Sequence, residues 1–186
     1  MSLAGLASAN AGASSQETEV VSMTAGPIPG PVGGRTTLPA SEALAGSSVR
    51  VKSLLNAPAK MRHGDHIWNE TGVTKGRIWV RVDRTNQLIS VFRGAHEIGT
   101  AVILYGALRK PTPAGTYPIL AKMKNHRSSI YNTPMPYTLR LTHDGISIHA
   151  RSVREGLATH GCIGVPDEFA RRLFAAAKAG DRVVII

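Results

Sequence analysis

Cysteine is almost absent from this chain of 186 residues, and Cys162 is its single representative. A disulfide within the chain and a Cys-x-x-Cys redox pair both need two cysteines, so both are excluded. Aromatic residues make up only 5% of the sequence, and no stretch approaches the run of about 18 apolar residues that a membrane-spanning helix needs. The hydrophobic fraction of 42% nevertheless suffices for one packed domain.

Acidic residues are also few. The 12 Asp and Glu residues face 22 Lys and Arg residues, which gives a formal net charge of +10 and an isoelectric point near 10.4. Such a surface attracts polyanions, including nucleic acid, anionic lipid and bacterial wall polymer. The sequence contains neither zinc-finger spacing nor the aromatic motif of RNA-binding domains. We therefore expect no nucleic-acid partner.

Composition divides the chain into three regions. Residues 1–48 are rich in Ala, Gly, Ser, Thr and Pro, which predicts a flexible linker. Residues 49–75 are transitional and are expected to pack on the edge of the main domain, which occupies residues 76–186. The N-terminus lacks the basic and continuous apolar regions of a signal peptide.

Alternating apolar and polar residues predict strands through most of the main domain. Residues 78–83 and 88–92 form one predicted hairpin, and residues 137–142 and 145–149 form another around the favoured turn pair Asp144-Gly145. Several short strands with one late helix predict a mostly β fold of antiparallel sheets, packed as a sandwich or barrel.

The helix is predicted to begin with Asp167 as its N-cap and to stop at Gly180. The segment 122–137 is polar, non-periodic and long for a connection. Long connections in compact domains are often lids, so we predict a lid loop here.

The surroundings of Cys162 favour chemistry over packing. His149 precedes it by 13 residues, and His160 stands within the sequence Thr-His-Gly-Cys at 159–162. A thiol becomes a useful nucleophile at neutral pH when a base or positive charge withdraws its proton. Gly161 allows close backbone approach and converging N–H groups, as an oxyanion hole requires. The alternative is a free cysteine that simply packs in the interior.

Two motifs resemble the active-site signature of the YkuD-like L,D-transpeptidases. That signature is a histidine followed by a small residue, a spacer, and then Ser/Thr-His-Gly-Cys-hydrophobic-Asn/Arg. Here Ile-His-Ala at 148–150 precedes Thr-His-Gly-Cys-Ile at 159–163. Upstream, the sequence Lys-Pro-Thr-Pro-Ala-Gly-Thr-Tyr-Pro-Ile at 110–119 is similar to the family's Thr-Pro-x-Gly-x-aromatic segment.

The resemblance implies a cysteine acyltransferase that acts on peptidoglycan stem peptides. The cysteine attacks the carbonyl of the third residue of a stem tetrapeptide and expels the terminal D-alanine. An amine acceptor then takes the acyl group, giving a 3-3 cross-link or a tethered protein, or water hydrolyses it. No cofactor is implied. We expect a monomer in the periplasm or cell envelope, in contact with the membrane only through an N-terminal signal or anchor that is missing from this chain.

The resemblance also assigns roles by position. It makes Cys162 the nucleophile and His149 the general acid/base, whose ring the carbonyl of Ala150 orients. His160 and Gly161 would shape the oxyanion site, so the expected catalytic set is Cys162, His149 and His160.

Three departures from the family pattern stand out. The spacer at 151–158 is short, Ala150 replaces the usual glycine, and Gly164 replaces the usual Asn or Arg. The last change puts the contact with the acceptor or with a substrate carboxylate in doubt, although Gly164 still belongs to the expected substrate-binding set. Tyr131 joins that set because the family's lid often carries an aromatic residue.

Two alternatives stay open. One is a zinc-binding hydrolase whose metal is held by His143, His149, His160 and Cys162, since histidine and thiolate suit zinc. The other is a non-catalytic, basic module that binds the cell wall. Our leading prediction contains no metal site.

Overall fold

The computed structural model describes residues 31–43, 50–106 and 110–186. Over these residues the chain forms twelve strands and one helix. In chain order, the elements are β1 (Arg35–Ala43), β2 (Arg50–Leu55), β3 (His66–Trp68), β4 (Ile78–Asp83), β5 (Leu88–Arg93), β6 (His96–Val102), β7 (Gly115–Pro118), β8 (Ala121–Arg127), β9 (Pro134–Arg140), β10 (Ser147–Ala150), β11 (Ile163–Val165), α1 (Asp167–Ala176) and β12 (Arg182–Ile185).

The larger sheet has eight strands in the order β1-β2-β6-β5-β4-β12-β7, with β3 paired to β6. The predicted hairpin of β4 and β5 is confirmed, with Ile78 opposite Arg93 and Asp83 opposite Leu88. The C-terminal β12 runs parallel to β4 and antiparallel to β7. This sheet is open. Of the two predicted arrangements, sandwich and barrel, it therefore does not form the closed barrel.

The smaller sheet has four strands in the order β11-β10-β9-β8 and is also open. Its antiparallel pair β9 and β10 confirms the second predicted hairpin. Gly145 in the turn has a φ of +101°, a conformation that residues with a side chain rarely adopt. β11 adds parallel to β10, with His149 opposite Gly164. That pairing positions the site described below.

One apolar core lies between the two sheets and α1. The helix contributes Phe169 and Leu173, both fully buried. The strands contribute aliphatic side chains that are each almost inaccessible: Val80, Ile89, Ile98, Leu139, Ile148, Ile163 and Val183. Burial of each such side chain is worth about 1.5–3 kcal/mol, so the core holds the sheets together.

The helix differs from its prediction at both ends. Pro166 is the N-cap, with no capping hydrogen bond from a side chain, and Asp167 is already helical. An acidic residue in the first turn still suits the helix dipole. The helix ends at Ala176, and Gly180 lies beyond it with a φ of +85°. Lys122 from β8 donates to two carbonyls at this end, those of Phe174 and Ala177, both at 2.6 Å.

The N-terminal regions also differ in part from their prediction. Residues 1–30 and 44–49 lie outside the described residues. Arg35–Ala43, within the predicted linker, instead form β1 and pair with β2. In the predicted edge segment, β2 joins the larger sheet and buries Val51. Among the described residues, no helix has the length and hydropathy to cross a membrane.

Candidate active site

A cleft of about 570 Å³ opens beside the smaller sheet. The residues that line it lie between positions 110 and 162, and all of them except Lys110 belong to β8, β9, β10 or the loops that connect β8 to β11. Cys162 and His149 both line this cleft, as do His160 and Tyr131. The structure thus brings together four residues that the sequence placed in the site.

Strand alternation explains why the cysteine and the histidine share one face. On β10, Ile148 and Ala150 enter the core, so their neighbour His149 points to the opposite face. On β11, Ile163 enters the core in the same way, which leaves the preceding Cys162 on the cleft side. Because β10 and β11 are adjacent, the two reactive side chains lie on one surface.

His149 is held in a defined orientation. Its ring is buried, with 4% of the residue exposed, and Nδ1 lies 2.9 Å from the carbonyl oxygen of Ala150. A carbonyl oxygen only accepts, so Nδ1 carries the proton and Nε2 remains an acceptor. Burial lowers the pKa of this imidazole, and the positive charges of Arg151 and His126 add to that effect, while the bond to Ala150 opposes it. The ring is therefore neutral near pH 7.

Cys162 is partly exposed at the cleft, with its Sγ 3.7 Å from the carbonyl oxygen of Gly145. Burial raises the pKa of the thiol above its ordinary value. A hydrogen bond from the backbone of Ser147 and the charges of Lys110 and Arg151 act in the opposite direction. The uncharged thiol is the resting form that this balance favours.

The turn before Cys162 is fixed by Gly161. This glycine has a φ of +98°, and a Cβ on it would lie 2.6 Å from Cδ1 of Ile146. Its carbonyl accepts a hydrogen bond from the Thr112 hydroxyl at 2.9 Å, and that hydroxyl accepts from the N–H of Gly106. The fully buried Thr112 therefore links the 110–119 segment to the turn that presents the thiol.

The predicted lid is largely a hairpin. Strands β8 and β9 occupy most of 122–137, and the loop 128–133 forms the tip. Tyr131 in this tip is half exposed and stacks on the exposed His160, with ring centroids 4.7 Å apart. His160 therefore lies at the rim of the cleft, against the hairpin tip.

Gly164 differs from its expected place. Its N–H and C=O both bond to the backbone of Leu104, at 2.8 and 2.9 Å, and it does not line the cleft. The side chain of Arg151 packs against it instead. Sequence reasoning missed Arg151, Lys110, Ser147 and Thr112. Arg151 and Ser147 could have been found, because each lies two residues from His149 along the chain and shares its face.

The zinc alternative is not supported. Across the described ranges, no group of three or more His, Cys, Asp and Glu side chains is arranged to hold a metal ion. Of its four proposed ligands, His160 is stacked on Tyr131.

Comparison with known proteins now bears on the fold and the family. Residues 77–185 match the model of the YkuD L,D-transpeptidase catalytic domain. The chain belongs to this family. The match spans both sequence motifs and nearly all of the predicted main domain. No curated protein matches the chain significantly.

Solved L,D-transpeptidases share the fold. An enzyme from Mycobacterium smegmatis is similar at a TM-score of 0.56 and 20% identity over 59% of this chain and 58% of that one. An L,D-transpeptidase from Stackebrandtia nassauensis is similar at a TM-score of 0.56 and 24% identity, over 61% of this chain and 57% of that one. L,D-transpeptidase 3 from Mycobacterium tuberculosis was solved with a faropenem-derived adduct. It is similar at a TM-score of 0.55 and 20% identity, over 58% of this chain and 59% of that one. The matched region spans less than two thirds of each of these proteins.

Proposed function

We propose that this protein is a cysteine-dependent L,D-transpeptidase that acts on peptidoglycan stem tetrapeptides. The observation that carries the proposal is the placement of Cys162 and His149 on one face of an open cleft. The carbonyl of Ala150 orients the imidazole so that Nε2 can accept a proton. A nucleophile, a base and a group that orients the base form the arrangement expected for covalent acyl transfer.

Acylation begins from a neutral thiol and a neutral imidazole. Burial raises the pKa of Cys162 and lowers that of His149, so a resting thiolate–imidazolium pair is disfavoured. The thiol proton then passes to Nε2 of His149 as sulfur attacks the carbonyl carbon of the third stem residue. The imidazolium returns this proton to the departing amine of D-alanine, which leaves a thioester on Cys162.

Deacylation uses the same groups in reverse. An amine acceptor, or water, loses a proton to His149 and attacks the thioester carbonyl, and the thiol is regenerated. The amide N–H groups of Gly161 and Cys162, together with the exposed ring of His160, are the proposed stabilisers of the oxyanion. The turn at Gly161, with its positive φ, lies directly before Cys162, which supports this assignment.

The charge of the cleft suits an acidic peptide. Lys110, Arg140 and Arg151 line it, against the single carboxylate of Asp144. Stem peptides carry several carboxylates, so the electrostatic attraction has the right sign. L,D-transpeptidases are enzymes of the cell envelope, and we place this one in the periplasm as a monomer.

The test is incubation of the protein with purified tetrapeptide-bearing muropeptides, followed by mass analysis. We expect release of D-alanine with formation of exchanged, cross-linked or shortened products. Cys162→Ala should abolish every product while leaving the circular dichroism spectrum and melting temperature near those of the wild type. Unchanged muropeptides with the folded wild type, or products from the variant, would contradict the proposal.

A penem reagent gives a second, independent check. The relative from Mycobacterium tuberculosis was solved with a faropenem-derived adduct. We expect faropenem to add covalently to the present chain, whose only cysteine is Cys162. A non-catalytic wall-binding module would stay unlabelled.

A further inference from the structure

Arg151 occupies an unusual place beside the reactive thiol. It follows the last residue of β10, and its N–H bonds to the carbonyl of Val165 at 2.9 Å, which continues the pairing of β10 with β11. The alternation that places His149 on the cleft side therefore places Arg151 there too, and Arg151 lines the cleft.

The aliphatic part of Arg151 rests on Gly164. A Cβ at Gly164 would lie 3.3 Å from both Cβ and Cδ of Arg151, which is tighter than most real contacts. The absence of a side chain at position 164 is what lets the arginine lie across β11. The family motif has Asn or Arg at this position, beside the cysteine. Here a side chain from the neighbouring strand fills that space.

The guanidinium of Arg151 has no partner within the described part of the chain. It forms no salt bridge there, whereas Arg81, Arg93, Arg171 and Arg172 each pair with a carboxylate. Arg140, which also lines the cleft, is engaged with the carbonyls of Thr142 and His143. The charge of Arg151 acts on both Cys162 and His149, so it lies close to where chemistry would occur.

We propose that Arg151, seated on Gly164, binds the carboxylate of the leaving D-alanine. This inference rests on the proposed function for the identity of the substrate. The terminal carboxylate is on the residue next to the attacked carbonyl, so a cation beside the thiol can reach it. A planar guanidinium donates two parallel hydrogen bonds to a carboxylate, which fixes orientation as well as charge. Arg151, which directly follows β10, thus supplies the polar contact that the Asn or Arg of the family motif supplies at the position of Gly164.

The first experiment needs no knowledge of the substrate. Iodoacetate and iodoacetamide both alkylate a thiolate at their CH₂ carbon, with loss of iodide, and differ in that only iodoacetate carries a negative charge. Cys162 is the only cysteine, so the two rate constants refer to one site. Their ratio cancels any change in the fraction of thiolate and reports the attraction of a carboxylate to the cleft.

We expect Arg151→Gln to lower the iodoacetate-to-iodoacetamide ratio by roughly three- to tenfold. Arg151→Lys keeps the charge and should retain most of the wild-type ratio. The matched control is Arg154→Gln, which removes the same charge from an exposed residue outside the cleft and should leave the ratio unchanged. Equal ratios in wild type and Arg151→Gln would overturn the proposal, as would an equal fall in the control.

A second variant tests the contact between Arg151 and Gly164. Gly164→Ala adds a methyl group against the stem of Arg151, so its ratio should lie between those of the wild type and Arg151→Gln. A wild-type ratio in Gly164→Ala would contradict the role given to Gly164.

The final experiment compares a stem tetrapeptide with its C-terminal amide. For the acid, Arg151→Gln should raise KM by about tenfold, whereas for the amide the rise in KM should be much smaller. If the acid and the amide respond equally, Arg151 does not bind that carboxylate. If the wild type turns over neither peptide, the proposed function fails, and the alkylation ratio still decides whether Arg151 forms an anion site.

Discussion

The two sheets of this protein divide scaffold from chemistry. The central strands of the larger sheet are buried nearly throughout, as in β4 and β6, and none of its residues lines the cleft. On β10 of the smaller sheet, Ile148 and Ala150 enter the core while Ser147 and His149 face the cleft. The polar side chain of His149 on that face is buried, and its hydrogen bond to the carbonyl of Ala150 offsets part of the cost of burying it. Variants in the two sheets should therefore fail in different ways.

The largest effect on turnover short of removing the thiol is expected at His149. His149→Ala removes the proposed base and should lower kcat/KM by about 10²–10⁴-fold. Steady-state kinetics with a tetrapeptide measures this. The control is His63→Ala, at an exposed position outside the cleft. Near-wild-type activity in His149→Ala would shift the base to His160.

A core variant in the larger sheet should show the opposite behaviour. Ile89 is fully buried on β5, so Ile89→Ala should lower the free energy of unfolding by about 2–5 kcal/mol. Urea denaturation measures the loss. Because Ile89 does not line the cleft, the folded fraction should keep its kcat/KM. A loss of activity per folded molecule would show that the two sheets are not functionally separate.

The pH dependence of the reaction should reflect the buried imidazole. Burial is the main reason that the pKa of His149 lies below the ordinary histidine value, so the neutral base persists below about pH 6.5. The acidic limb of kcat/KM should have its midpoint below that value and fall roughly tenfold per pH unit beneath it. An acidic midpoint above about pH 7 would mean that the ring is stabilised as imidazolium.

The same pKa shift has a consequence for stability. On acidification the unfolded chain protonates this histidine first, since its pKa there is about 6.5, while the folded His149 stays neutral. Stability therefore falls as the pH drops below about 6.5 towards the folded pKa. Thermal melts of wild type and His149→Gln across this range should converge at low pH.

The smallest effect is expected at the hairpin tip. Tyr131 stacks on His160 at the rim of the cleft, and such aromatic pairs are worth about 0.5–1.5 kcal/mol. Tyr131→Ala should therefore raise KM by about two- to tenfold with little change in kcat. Tyr131→Phe keeps the stack and serves as the control. Equal losses in both variants would assign the effect to the hydroxyl.

The larger sheet was predictable where hydrophobic alternation was strong. The β4–β5 hairpin follows from Ile78, Val80 and Val82 at alternate positions and from the apolar residues of β5, and both strands contribute to the core. The N-terminal β1 was missed because its sequence is rich in Thr, Ala and Ser. It becomes a strand through pairing with β2, which composition alone does not reveal.

The smaller sheet was predictable in its motifs and less so in its shape. The histidine and the Thr-His-Gly-Cys turn marked the site, but β8 contains Lys124, Asn125 and His126 and has no apolar alternation. Its pairing with β9 therefore went unnoticed and the segment was predicted as a lid loop. The contact of Arg151 with Gly164 depends on the parallel register of β10 and β11, which no local pattern encodes.

The most direct test of the account is the mass of the acyl-enzyme. Wild-type protein mixed with a stem tetrapeptide and quenched in acid should carry the added mass of the peptide less its terminal D-alanine, and fragmentation should place that mass on Cys162. Cys162→Ala should carry none. Turnover of the tetrapeptide with no adduct on Cys162, or with the adduct on another residue, would contradict the central claim that this thiol is the nucleophile.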